Sequence, residues 1–186
     1  MKHPKGIVQN KENNIISYSN RGMALEDDLN VTNNYYIDKK IAFIYKKPTP
    51  IQIVKTSFNP FKITEAFFKE ASTTDYNGIY KGYYIDYDAK ETNNKTSFPL
   101  NNIHKHQLNH LKNIDSAKGI AFLIIRFNKL KRTYLITYKD IENFIDNHDR
   151  KSIPLSYFEK HAYLINESYI PRLNYIEIID KLLEDL

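Results

Sequence analysis

At 186 residues the chain can bury one sizeable core, and nothing in its length requires a second domain. Lys and Arg number 27 against 22 Asp and Glu, a net charge of +5 that favours polyanions; the lack of cysteine excludes disulfides and thiolate metal sites. No apolar run approaches the ~20 residues that span a bilayer, and no apolar leader opens the chain, so a soluble, cytoplasmic protein without a membrane partner is expected.

Residues 1–19 are polar, Asn-rich and without period, which predicts a mobile basic tail ahead of a single domain over 20–186. The run RGMALEDDLNVTNN places Met23, Leu25, Leu29 and Val31 at helical spacing. IAFIYKK and IQIVK, on either side of Pro48-Thr49-Pro50, read as neighbouring strands with Lys46 and Lys47 at their join. Over about 55–72 the chain leaves this pattern. Pro60 breaks it, and TEAFFKEA, with Phe67, Phe68 and Lys69, reads as a short amphipathic helix on an excursion from the sheet. Asn77-Gly78 and Lys81-Gly82 then allow tight turns before the strand YYIDYDAKE.

Farther on, NIHKHQLNHLKNI has helical spacing and Gly119 ends it. IAFLIIRF is nearly all apolar, as a strand covered on both faces should be, and RTYLITY is its expected neighbour. Thr137 caps a helix that runs to about Asn147. A short helix from Leu155 to Ala162, an irregular stretch around Pro171 and a closing helix with Ile176, Ile179, Leu183 and Leu186 complete the chain. Alternating elements of this kind predict an α/β or α+β sheet core.

The chemistry concentrates between Thr73 and Glu91. Side chains of a strand alternate between faces, so Ile85, Tyr87 and Ala89 close onto a core while Asp86, Asp88 and Lys90 share the other side. Asp75 precedes them. Carboxylates suit Mg²⁺, a hard ion that takes oxygen ligands, and a neighbouring lysine can offset charge on a phosphate under attack. An acid followed by D-x-K is also what a solvated strand edge looks like, and the pattern alone does not separate the two. His106 and His110 have the i, i+4 spacing of a zinc pair, but no Glu follows His106 and no third ligand is evident.

The strings NRGMALEDDLN, KKPTPIQIVK, EAFFKEASTTDYNGIYKGYYIDYDAKETNNKTSFPL, HKHQLNHLK and RKSIPLS resemble the RecU family of Holliday junction resolvases, in the family's order and from about Arg21 onward. The resemblance implies a restriction-endonuclease-like mixed sheet core flanked by helices, with a protruding stalk inserted between strands over about 55–72. It also implies a homodimeric endonuclease of the PD-(D/E)xK class that depends on Mg²⁺, with Mn²⁺ as a substitute. Its substrate would be four-way junction DNA, and a RecA-type recombinase would be a partner. Catalysis would fall to Asp75, Asp88 and Lys90, and the metal shell to Thr73, Asp75, Asp88 and Gln107. DNA contacts would come from Arg21, Lys46, Phe67 and Lys69. Most relatives read Glu where this chain has Asp88, a ligand one methylene shorter. A generic duplex or flap nuclease and a non-catalytic junction-binding protein are the competing readings.

Overall fold

The computed structural model describes residues 23–69 and 73–184; the expected tail, Arg21 and Leu186 lie outside them. The first half contains α1 (Met23–Asp38), β1 (Phe43–Lys46), β2 (Ile51–Phe58), β3 (Phe61–Phe68), β4 (Tyr76–Tyr80), β5 (Tyr83–Thr92) and β6 (Ser97–Pro99). The second half contains α2 (Lys105–Ser116), β7 (Ile120–Phe127), β8 (Arg132–Thr137), α3 (Tyr138–Asn147), β9 (Ser152–Pro154), α4 (Leu155–His161), β10 (Tyr163–Leu164) and α5 (Ile176–Glu184). No described helix is long and apolar enough to cross a membrane.

Six strands form one mixed sheet in the order β1-β4-β5-β7-β8-β10. Among the described strands only β5 and β7 run parallel, with Asp88 opposite Leu123 and Lys90 opposite Ile125, and α2 makes the crossover between them. The apolar run of β7 is buried along nearly its whole length because it feeds two cores. Phe122 and Ile124 face α1 and α5 with Leu25, Leu29, Tyr175 and Ile179, whereas Leu123 and Ile125 face α2, α3 and α4 with Leu111, Ile141, Phe144 and Phe158. Helices on both faces of a mixed sheet are the expected α/β architecture.

An aromatic column anchors the first core. Tyr76, Tyr87 and Phe122 stack at successive centroid distances of 4.8 Å, with Tyr175 edge-on to Tyr87 at 5.5 Å. The Tyr87 hydroxyl, buried in the middle, accepts the Asn33 Nδ2 hydrogen at 3.0 Å. At α3 the expected cap is present, with Thr137 Oγ1 accepting from the Asp140 amide at 3.2 Å.

Three expectations are corrected. IQIVK is not a neighbour of IAFIYKK: β1 pairs with β4, while β2 pairs with β3 in a separate two-stranded hairpin. TEAFFKEA is not a helix, since residues 61–68 form β3, whose β-branched and aromatic side chains pair across to β2, with Gln52 opposite Phe67. The excursion is therefore a hairpin over 51–68, solvated on both faces along almost all of its length. Asn77-Gly78 is no turn. Gly78 lies within β4, where a Cβ would sit 2.1 Å from the Phe43 carbonyl oxygen, so glycine serves a close strand approach there. The turn into β5 is made by Lys81 and Gly82, at φ 49° and 85°.

Candidate active site

The site borders the second core. On the α2 side of the sheet, where β7 contributes Leu123 and Ile125, β5 presents Asp86, Asp88 and Lys90. Asp86 and Asp88 are fully buried, against the expectation of a polar strand face.

Asp75 lies just before β4. Its Oδ2 accepts the Ala89 amide hydrogen at 3.0 Å, which seats the carboxylate against β5 beside Asp88. Lys90 Nζ stands 2.7 Å from Asp88 Oδ2 as a charge contact without the direction of a hydrogen bond, and neither Asp88 oxygen has a hydrogen-bond partner among the described residues. Burial pushes the Asp88 carboxyl up to about 8; the Asp75 carboxyl, within hydrogen-bonding reach, adds to the rise, and the Lys90 ammonium opposes it. Two ionised carboxylates have no hydrogen to share. A protonated Asp88 can donate to Asp75, and a cation between them would do the same work.

This arrangement fits a divalent ion. Two oxygens of a buried carboxylate lack hydrogen-bond partners, a second carboxylate is fixed beside them, and hard oxygen donors are what Mg²⁺ takes. No group of three or more His, Asp or Glu gathers among the described residues, so the ion would draw further oxygens from water and substrate.

The other expected positions divide. Thr73 is exposed, and its Oγ1 accepts from Lys47 Nζ at 3.2 Å. Gln107 is buried near the start of α2, where its Oε1 accepts the His104 amide hydrogen at 3.2 Å and keeps one lone pair to offer. Lys46 sits on the rim in an ion pair with Glu26 of α1. Phe67 is on β3, and Lys69 follows it at the hairpin's root, where its amide donates to the Pro50 carbonyl at 3.1 Å. Neither residue joins the carboxylates.

Sequence reasoning missed a second polar cluster beside the first. Lys47, expected at the join of two strands, turns inward, and Nζ donates to Asp86 Oδ2 at 2.8 Å and to Thr74 Oγ1 at 2.5 Å. His110 Nε2 and the Tyr84 hydroxyl also lie 3.0 Å from Asp86 Oδ2, and Thr74 Oγ1 donates to Oδ1. His110 is thus engaged with an acid and not paired with His106 around zinc. Tyr84 lies two residues from Asp86 on the same strand face, but Lys47, Thr74 and His110 are far from it in the chain, and no local spacing could have revealed them.

A mixed sheet flanked by helices, with Asp88 and Lys90 on a central strand and the Asp75 carboxylate seated beside them, defines an α/β protein with a buried acidic centre suited to a cation. The family model for RecU, recombination protein U, matches residues 20–181, and the chain belongs to that family. It is 48% identical over 180 residues to "Holliday junction resolvase RecU" of Streptococcus thermophilus, covering 95% of this chain and 91% of that protein. The protein of the same name from Pediococcus pentosaceus is 50% identical over 175 residues, covering 91% and 87%. Hjc of Archaeoglobus fulgidus, a solved Holliday junction resolvase, aligns at 11% identity with a TM-score of 0.45, covering 77% of this chain and 91% of Hjc, a likeness too slight to bear on the argument.

Proposed function

We propose that this chain is a Mg²⁺-dependent endonuclease that resolves four-way DNA junctions by paired nicks, with Mn²⁺ as a substitute ion. The observation that carries the reading is the buried Asp88 carboxylate, with neither oxygen hydrogen-bonded among the described residues, beside Asp75 and Lys90. Membership of a family whose relatives are named Holliday junction resolvases supplies the substrate.

Asp75 and Asp88 would hold the ion, and Thr73 and Gln107 would complete its shell through water. A bound Mg²⁺ supplies charge neutralisation and polarisation at the scissile phosphate. The Ala89 amide keeps the Asp75 carboxylate from rotating away. Lys90 holds Asp88 in place before substrate arrives, and its ammonium then faces the negative charge that builds on the phosphate as its bond to the leaving oxygen breaks. The β2–β3 hairpin is the stalk. Phe58 and Phe61 at its tip are 84% and 69% exposed, and Phe67 and Lys69 stand nearer its root. Rings in that position suit unstacked bases at a junction centre, while Lys46, Arg21 and Lys69 suit phosphates.

A junction has two exchanging strands of like polarity, so a two-fold homodimer would present one site to each strand. A RecA-type recombinase is the partner such an enzyme would meet, and the cytoplasm is where both would act.

The test is cleavage of a labelled mobile junction in Mg²⁺ by wild type, Asp75→Ala and Lys90→Ala, with cuts mapped on all four strands. Symmetric cuts by wild type and none by the variants, with junction binding retained, are expected. An intact junction at saturating wild-type protein defeats the proposal, and cutting of plain duplex at equal rate leaves a generic nuclease.

A further inference from the structure

The polar cluster around Asp86 lies where the hairpin joins the body of the protein. Lys47 follows β1 and precedes the Pro48-Thr49-Pro50 link into β2, and Thr73 and Thr74 follow the hairpin on its return. The two roots are tied to each other by the hydrogen bond from the Lys69 amide to the Pro50 carbonyl.

Lys47 joins both roots to β5. Its ammonium has three hydrogens, and three oxygens stand around it: Asp86 Oδ2 at 2.8 Å, Thr74 Oγ1 at 2.5 Å and Thr73 Oγ1 at 3.2 Å. Its backbone amide donates to the Asp75 carbonyl at 2.7 Å. One residue therefore grips the segment that carries Asp75 from both main chain and side chain. At the other end of the ion pair, Asp86 is 0% exposed and the lysine side chain only 15%. Asp86 also receives Tyr84 and Thr74, and His110 of α2 lies against it, so its oxygens are taken up by protein groups and it is no ligand in reserve beside Asp88.

We infer that Lys47 is a positioning residue that locks the hairpin's two roots to β5, holding the Asp75 carboxylate against the Ala89 amide and making the hairpin's setting part of the site's geometry. The inference rests on the reading above for what the site does, but not for how Lys47 holds it. A lysine in this place could instead be a phosphate contact or a mere filler of the fold, and the three roles predict different measurements.

The variants are Lys47→Met, which keeps length without charge, and Lys47→Met/Asp86→Asn, which also removes the buried acid. Taking both partners from a buried pair is close to neutral, so the double variant guards against simple unfolding. In metal-free protein, exchange of the Ala89 amide should quicken by about tenfold or more in both variants while amides of β7 keep their protection. Cleavage at saturating junction should fall by about tenfold or more, with metal-free junction affinity within about twofold of wild type. Wild-type Ala89 exchange and wild-type cleavage in the double variant would overturn the inference. So would weaker junction binding with Ala89 exchange unchanged, the result of a phosphate contact. If wild type itself fails to cut while Ala89 exchange responds as stated, the proposed activity fails and the positioning role stands.

Discussion

Replacing Asp88 by Asn should remove a pH dependence of stability that the wild type carries in its ion-free state. The Asp88 carboxyl is raised from 3.8 to about 8 in the folded protein, chiefly by burial. Between those values the folded state holds a proton that the unfolded state has released, so stability falls as pH rises through the window and levels off above about 8. Each pH unit within the window costs about 1.4 kcal/mol, so between pH 5 and 7 this one group takes roughly 3 kcal/mol from the folded state. Asn does not titrate. Denaturant unfolding at pH 5, 6 and 7 in the presence of chelator should show Asp88→Asn gaining on wild type by roughly that amount across the range. Adding Mg²⁺ at pH 7 should stabilise wild type and leave Asp88→Asn unmoved. Parallel stability curves for the two proteins would refute the account of a strained, proton-hungry carboxylate at the site.

Gly78→Ala should destabilise the fold by about 2–3 kcal/mol or more, since the new Cβ would meet backbone atoms of Phe43 and Ile44 that cannot yield; denaturant unfolding measures it, and a neutral substitution would show that β1 is not held so close. Joining Ile53 to Ala66, opposite residues on the hairpin, should leave Tm within about 2 °C because the removed strands bury almost nothing, while junction cleavage is lost. A large drop in Tm, or full cleavage by the shortened protein, would contradict the division between a stable body and a probing stalk.

Much of the site is legible in the sequence because strand alternation is a rigid rule. Asp86, Asp88 and Lys90 share a face, and Ile85 and Tyr87 close onto the first core, as period two requires. Asp75 could be named as a partner, but its seat against the Ala89 amide depends on how β4 returns beside β5. The hairpin's first strand is legible in IQIVK, but TEAFFKEA reads as a helix because Phe67 and Phe68 suit either element, and only pairing with β2 decides between them. Asn-Gly, a strong turn signal, was overruled by the need for two strands to touch at Gly78. Of the ring of groups around Asp86, strand alternation could point only to Tyr84; Lys47, Thr74 and His110 are brought near by the tertiary fold.

The sheet keeps its two oily layers apart. The aromatic column of Tyr76, Tyr87 and Phe122 lies on the side of α1 and α5, and the acids lie on the other. Robustness and reactivity are thereby housed on opposite sides of a single wall of backbone. An engineer seeking a hardier variant, or a lineage drifting toward a warmer habitat, has a whole side of the molecule to rework without replacing a single charge of the acidic centre.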